Sequence, residues 1–232
     1  MHGAVVARIL SRPKKKEVIV LFRGTQSLRD WLLNFFIFPS KAKGHFDEKA
    51  KHNGFVHFGY QFLLNQKSAS IEHAITDNSA PNQFLSVYEQ IEAYLKPLIE
   101  SGKRITLTGH SSGGAMAVLA AQRLELRFAR SVRRVVTFGQ PSTSYRRYYQ
   151  HYLLHKRTFR ICCDLDIVTF LPPFPGLFKH LGRSLWLHDE RIYEDARPIW
   201  RLYRVVSRWL ISPISYHYMH KYIRDKDFFD EH

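Results

Sequence analysis

Residues Arg104 to Ala129 read RITLTGHSSGGAMAVLAAQRLELRFA. Arg104 to Thr108 is short, apolar and rich in β-branched residues, which predicts a buried strand, and Ser112 onward carries the pattern of a helix. Between them stands Gly109-His110-Ser111-Ser112-Gly113, a serine with glycine at minus two and plus two. That spacing fits a nucleophile elbow, a sharp and strained strand-to-helix turn at which side chains on the flanking positions would collide with neighbouring backbone. The five letters alone carry little weight, since average residue usage produces them by chance in about one chain in twenty of this length. The strand, turn and helix in the required order carry more. So do Gly113, Gly114, Ala115, Ala117, Ala120 and Ala121, which let the helix approach a sheet closely behind Ser111. Serine-dependent hydrolysis is the first chemistry to test against the rest of the chain.

Working outward, Val18 to Phe22 (VIVLF) is a continuous apolar run suited to a strand buried on both faces, and it ends at Arg23-Gly24-Thr25. From Phe84 to Glu100, Leu85, Val87, Tyr88, Ile91, Tyr94, Leu95 and Leu98 recur at helical spacing, and that helix leads into the elbow strand. Arg133 to Gly139 (RRVVTFG) and Arg157 to Cys163 (RTFRICC) read as two more strands. Strands alternating with helices predict an α/β fold: a mostly parallel central sheet, helices on both faces, functional groups at the carboxyl ends of the strands. Residues 1–232 read as a single domain with no internal repeat, and Lys41 to Asn53, polar and charged, reads as an irregular loop.

Composition bounds the partners. With 45% hydrophobic residues the chain can bury a substantial core. Thirty-five Lys and Arg against twenty Asp and Glu give a net charge of +15, which calls for an anionic partner. No zinc-finger spacing, phosphate loop or RNP-like motif accompanies that charge, so nucleic acid lacks a reader and an acidic membrane surface fits better. Adjacent Cys162 and Cys163 are too few for a disulfide framework and are expected to be small core residues. The N-terminus has no secretory h-region, and the longest apolar run, Trp31 to Pro39, is too short to span a bilayer, so the expectation is a cytoplasmic or peripheral-membrane protein.

An activated serine needs a base within hydrogen-bond reach and an acid that orients it; in α/β-hydrolases these follow the serine in the order acid, then histidine. Asp166, after the RTFRICC strand, and Asp164 are rival acids, and either could equally cap a turn. Of the thirteen histidines, His180, His188, His217 and His220 lie downstream. Position in the sequence does not separate them.

Five segments in order, FRGTQSLRDWLLNF (22–35), VHFGYQFL (56–63), ITLTGHSSGGAMAVLAA (105–121), VVTFGQPS (135–142) and DIVTFLPP (166–173), resemble class 3 lipases of the fungal lipase type, members of the α/β-hydrolase superfamily. The resemblance implies Ser111 as nucleophile, Asp166 as the acid opening D-x-V before L-P-P, and His217 as the base in an H-x-M-x-x-Y-like segment, with His220 as the alternative. It aligns His180 with a non-catalytic histidine, and it implies an oxyanion hole from Thr25 and the backbone N–H of Ser112. Two departures stand out. Thr169 occupies the place of a usual proline, and the short stretch before Gly24-Thr25 reads as a minimal or truncated N-terminus that leaves a sheet edge open.

The implied activity is a serine carboxylester hydrolase of the triacylglycerol lipase type, with a lipid ester as substrate and no cofactor or metal. The alternatives are a phospholipase A1-type acyl hydrolase and a catalytically weak lipase-like domain that binds acidic membranes. Residues 35–52 take the place of the family's lid, where Phe35, Phe36, Ile37 and Phe38 stand near Lys41, Lys43, Lys49 and Lys51, a composition suited to an anionic interface. Pro198 to Ile211 is a second basic amphipathic stretch, with Arg197, Arg201, Arg204 and Arg208 on one stripe. Its other reading is a helix packed on the domain with a solvated arginine face. The sequence leaves oligomeric state open.

Overall fold

The computed structural model describes residues 5–12, 14–24, 38–43, 54–67, 70–73, 85–163, 166–172, 174, 176–188, 191–196 and 217–224. In chain order these form β1 (Val5–Ser11), β2 (Glu17–Phe22), β3 (Pro39–Lys41), β4 (Phe55–His57), α1 (Phe58–Asn65), β5 (Ser70–His73) and α2 (Val87–Glu100). Next come β6 (Arg104–His110), α3 (Ser112–Arg127), β7 (Val132–Phe138), β8 (Ser144–Tyr145) and α4 (Arg146–Gln150). The last are β9 (Thr158–Cys163), a 3-10 turn (Ile167–Phe170), β10 (Phe178–Lys179), β11 (Arg183–His188), β12 (Arg191–Glu194) and α5 (Met219–Arg224).

Eight strands make the main sheet in the order β12-β11-β9-β7-β6-β2-β1-β5. The five central strands from β11 to β2 are mutually parallel, while β1 pairs antiparallel with β2 and parallel with β5, and β12 pairs antiparallel with β11. This is the mostly parallel sheet that the alternating elements predict. Helix α2 starts where the sequence supplies a capping box: the Ser86 hydroxyl accepts from the Glu89 N–H, and the Glu89 carboxylate accepts from the Ser86 N–H. Helix α3 is buried on nearly all sides from Ser112 to Glu125, as its glycine- and alanine-rich sequence allows. It lies between the sheet and α1.

One expectation fails. Strand β2 is not buried on both faces: Val18, Val20 and Phe22 are in the core, whereas Ile19 and Leu21 are exposed. The core cluster gathers residues of α2 and α3 with Val18, Val20, Ile105 and Leu107 on one face of the sheet. On the other face, α5 contributes Tyr222 to a smaller cluster with Ile161, Cys163 and Leu187, farther along the sheet. The N-terminal residues also supply β1, an element the sequence reading left unassigned, and β5 lies outside it. Cys162 and Cys163 are both fully buried. A second sheet, β10-β8-β4-β3, sits at the carboxyl end of the main one. It is anchored there where the His57 N–H donates to the Thr143 carbonyl at 2.9 Å and the Ser142 N–H to the Leu171 carbonyl at 2.8 Å.

Candidate active site

Ser111 joins β6 to α3 with φ 57° and ψ −128°. A side chain on such a backbone stores strain of about 1–3 kcal/mol, so the surroundings must hold it there. Two close approaches do so. A Cβ added at Gly109 would stand 2.4 Å from the carbonyl carbon of Gly113, and one at Gly113 would stand 2.4 Å from the Phe22 carbonyl oxygen. The glycine pair thus closes the elbow on itself and against the end of β2. The Ser111 N–H donates to the Phe138 carbonyl at 2.9 Å, which ties the elbow to β7 as well.

His217, just ahead of α5, brings its ring to this elbow: Nε2 lies 2.8 Å from Ser111 Oγ, and Nδ1 lies 3.0 Å from each oxygen of Asp166. A carboxylate only accepts, so Nδ1 carries the proton, and the bare Nε2 accepts from the Ser111 hydroxyl. Asp166 follows β9 and caps the 3-10 turn, its Oδ1 accepting from the Val168 N–H at 2.9 Å. A third donor is Tyr222, whose hydroxyl bonds Asp166 Oδ2 while its oxygen accepts from the Cys163 N–H at 3.3 Å. Burial and the adjacent Asp166 charge push the Tyr222 phenol well above its ordinary range, so it stays a donor. A buried carboxylate needs such partners. Thr169, at the position of the family's proline, donates its hydroxyl to the Asp166 carbonyl at 2.8 Å.

His110 adds a second layer. Its Nε2–H donates to the backbone carbonyl of His217 at 2.7 Å, and the two rings lie 4.6 Å apart. Burial first, then the neighbouring His217, lowers the His110 pKa to about 4, so it is a neutral donor at neutral pH. Neither His110 nor Tyr222 stood out from the sequence as a site residue. The signal for Tyr222 was its place in the H-x-M-x-x-Y-like segment, and that for His110 its place between Gly109 and Ser111.

Among the other candidates, His220 is exposed and stacks on Tyr218 at 5.8 Å. His180 approaches the Thr169 carbonyl at 2.9 Å, and His188 stacks on Trp186; none of the three is bonded to Ser111. Ser112 is buried as the first residue of α3. Thr25 and Asp164 lie outside the described residues, but Gly24 is packed so closely that an added Cβ would meet the His110 carbonyl oxygen at 2.6 Å. Of the expected lid, only 38–43 is described, with Phe38 exposed and Pro39–Lys41 forming β3; the rest, and all of 198–211, lies outside. No described helix is long and apolar enough to cross a membrane.

The chain resembles a lipase of Rhizomucor miehei, with 27% identity over 194 residues that cover 81% of this chain and 45% of the relative. A chloroplastic phospholipase A(1) of Arabidopsis thaliana is 28% identical over 171 residues, 70% of this chain and 35% of the relative. The chain thus spans less than half the length of these two curated relatives. Among solved structures, the Rhizomucor miehei lipase propeptide complex superposes with a TM-score of 0.53 at 22% identity, covering 77% of this chain and 51% of that one. The fold is therefore that of the fungal lipases, an α/β-hydrolase. The model of the family described as Lipase (class 3) matches residues 19–175, more than half of the chain and spanning both the elbow and Asp166, and the chain belongs to the class 3 lipase family.

Proposed function

We propose that the chain is a serine carboxylester hydrolase that cleaves acyl esters of lipids, of the triacylglycerol lipase type. The observation that carries this reading is the continuous hydrogen-bonded run from Ser111 through His217 to Asp166 at a strained elbow. Ser111 Oγ attacks the ester carbonyl as its proton passes to His217 Nε2, and Asp166 holds the imidazolium that forms. His217 returns the proton to the leaving alcohol, leaving an acyl-serine. Water then repeats the sequence: its proton goes to His217, its oxygen to the acyl carbon, and Ser111 recovers its hydrogen as the acid departs. The negative charge on the tetrahedral intermediate is met by the backbone N–H of Ser112 and by Thr25.

The substrate reading rests on relatives that include both a lipase and a phospholipase A(1), which makes phospholipid the second substrate class. Exposed Phe38 on the flank of the small sheet and exposed Tyr218 beside His217 suit contact with the lipid phase that presents the ester.

Ser111→Ala is expected to lower kcat on a soluble p-nitrophenyl ester by about 10⁴-fold or more, and His217→Ala comparably, while His220→Ala stays within threefold of the unsubstituted protein. Ester hydrolysis by pure Ser111→Ala protein at the parent rate contradicts the proposal. A large loss in His220→Ala with His217→Ala active would reassign the base.

A further inference from the structure

Charge is unevenly distributed along the strand axis. The lysine run 14–16 leads into β2, Arg104 opens β6, Arg130 precedes β7, Lys156 precedes β9 and Arg183 opens β11. Five consecutive parallel strands are therefore entered through cations, and the register keeps neighbouring starts together, with Glu17 opposite Arg104 and Ile105 opposite Val132. At the spacing of paired strands this row is about 20 Å long. Its acidic residues are largely engaged: Glu17 is shared by Arg133 at 2.8 Å and Arg134 at 3.8 Å, and Glu194 pairs with Arg183. Lysines 14–16, Arg130 and Lys156 are exposed, and no ion pair joins them to a described carboxylate. The same five strands end on Phe22, His110, Phe138, Cys163 and His188, and among the described residues within three positions beyond them only Arg23 and Arg191 are lysines or arginines.

A surface of this kind seeks a polyanion. The apolar side chains exposed beside the lysine turn are aliphatic, Leu10 and Ile19, and lie opposite one another across β1 and β2. Aliphatic groups flanked by lysines suit the boundary between headgroups and acyl chains, whereas base stacking would call for aromatic faces. We propose that the amino end of the sheet docks on an anionic lipid bilayer, with Ser111 held at the far end of β6. The seven residues of β6 separate the two ends by about 23 Å. A bilayer bound this way recruits the protein without covering the candidate site, and the attachment does not depend on the proposed hydrolysis.

The test is flotation of the full chain with vesicles of 30% phosphatidylserine in phosphatidylcholine, against pure phosphatidylcholine. The parent protein is expected to bind only the anionic vesicles, more weakly as salt rises. Each lysine near such a surface contributes about fivefold in affinity, so the triple variant Lys14→Gln, Lys15→Gln, Lys16→Gln is expected to lose about a hundredfold. These side chains are exposed and outside the core, and unchanged thermal melting verifies the fold. Lys41→Gln with Lys43→Gln, at the carboxyl end, is expected to bind within threefold of the parent. Ser111→Ala is expected to bind like the parent, which separates this proposal from the hydrolytic one. Vesicle-bound protein is expected to keep its rate on a soluble short-chain ester. The proposal is overturned if the triple lysine variant binds as the parent does, if the Lys41 and Lys43 changes abolish binding, or if bound protein loses soluble-ester turnover. Retention on a 30-nucleotide RNA without vesicle binding would overturn it in favour of nucleic acid.

Discussion

The Asp166 carboxylate is where the most hydrogen bonds at the site converge, from Val168 N–H, His217 Nδ1 and Tyr222 Oη. Asp166→Asn would present an amide to Nδ1 and release the tautomer that leaves Nε2 free to accept from Ser111. A loss of about 10³- to 10⁴-fold in kcat is expected. Tyr222→Phe removes one donor and keeps the ring packing against Phe138. It should lower kcat about tenfold with KM little changed, a cost matching one buried hydrogen bond to a charge. His110 makes a prediction about pH. Its folded pKa is depressed to about 4, so between that value and the ordinary histidine pKa of about 6.5 the unfolded chain binds the extra proton. The stability this group contributes is complete above that window and is lost as pH falls through it. The melting temperature of His110→Gln should therefore decline less between pH 6.5 and pH 4 than that of the parent, as read by circular dichroism. Ser111 was legible from its glycines, because steric necessity leaves a mark on adjacent letters. The choice of Asp166 over Asp164, and of His217 over three other histidines, was not legible from local chemistry, because the partners lie 51 and 106 residues apart in the chain and only folding joins them.

At the scale of elements, the elbow depends on the packing of β2, β6 and α3 through backbone contact rather than side chains. Gly113→Ala would press a methyl into the Phe22 carbonyl, and the fully buried α3 cannot move away without opening the core. A destabilisation of about 3 kcal/mol is expected, seen as a lower urea midpoint, with loss of ester hydrolysis in whatever folds. Ser86→Ala is a milder change that removes one half of the α2 capping box. It should cost about 1 kcal/mol and leave the rate per folded molecule intact. Central strands and the two long helices were legible because each carries its own pattern: RITLT and VIVLF as apolar runs, and Leu85 to Leu98 as apolar residues at helical spacing. The elements that escaped reading are those that exist only through a partner. Strand β1 is a hairpin arm against β2, and β8 and β10 are two residues each, defined by bridges to one another. The exposure of Ile19 and Leu21 was hidden for a related reason, since an apolar run does not say how much of each sheet face the helices cover.

On the scale of the whole molecule, the α/β architecture puts the strained serine at one end of the strands and a row of cations at the other. Substrate chemistry and charge-driven attachment thereby become separable properties of one fold. The lipid reading makes a prediction here. Across p-nitrophenyl esters of rising chain length, the rate should climb abruptly once each ester exceeds its solubility limit, and a smooth hyperbolic dependence through that limit would point instead to a hydrolase of dissolved esters. The role of Ser111 as the nucleophile of an ester hydrolase is decided by active-site labelling with a p-nitrophenyl alkylphosphonate followed by peptide mass spectrometry. One equivalent of p-nitrophenol released per protein is expected, with the phosphonyl group on the peptide that contains Ser111 and hydrolysis extinguished in step with labelling. A phosphonyl group on another residue, or hydrolysis that survives complete labelling of Ser111, would contradict it.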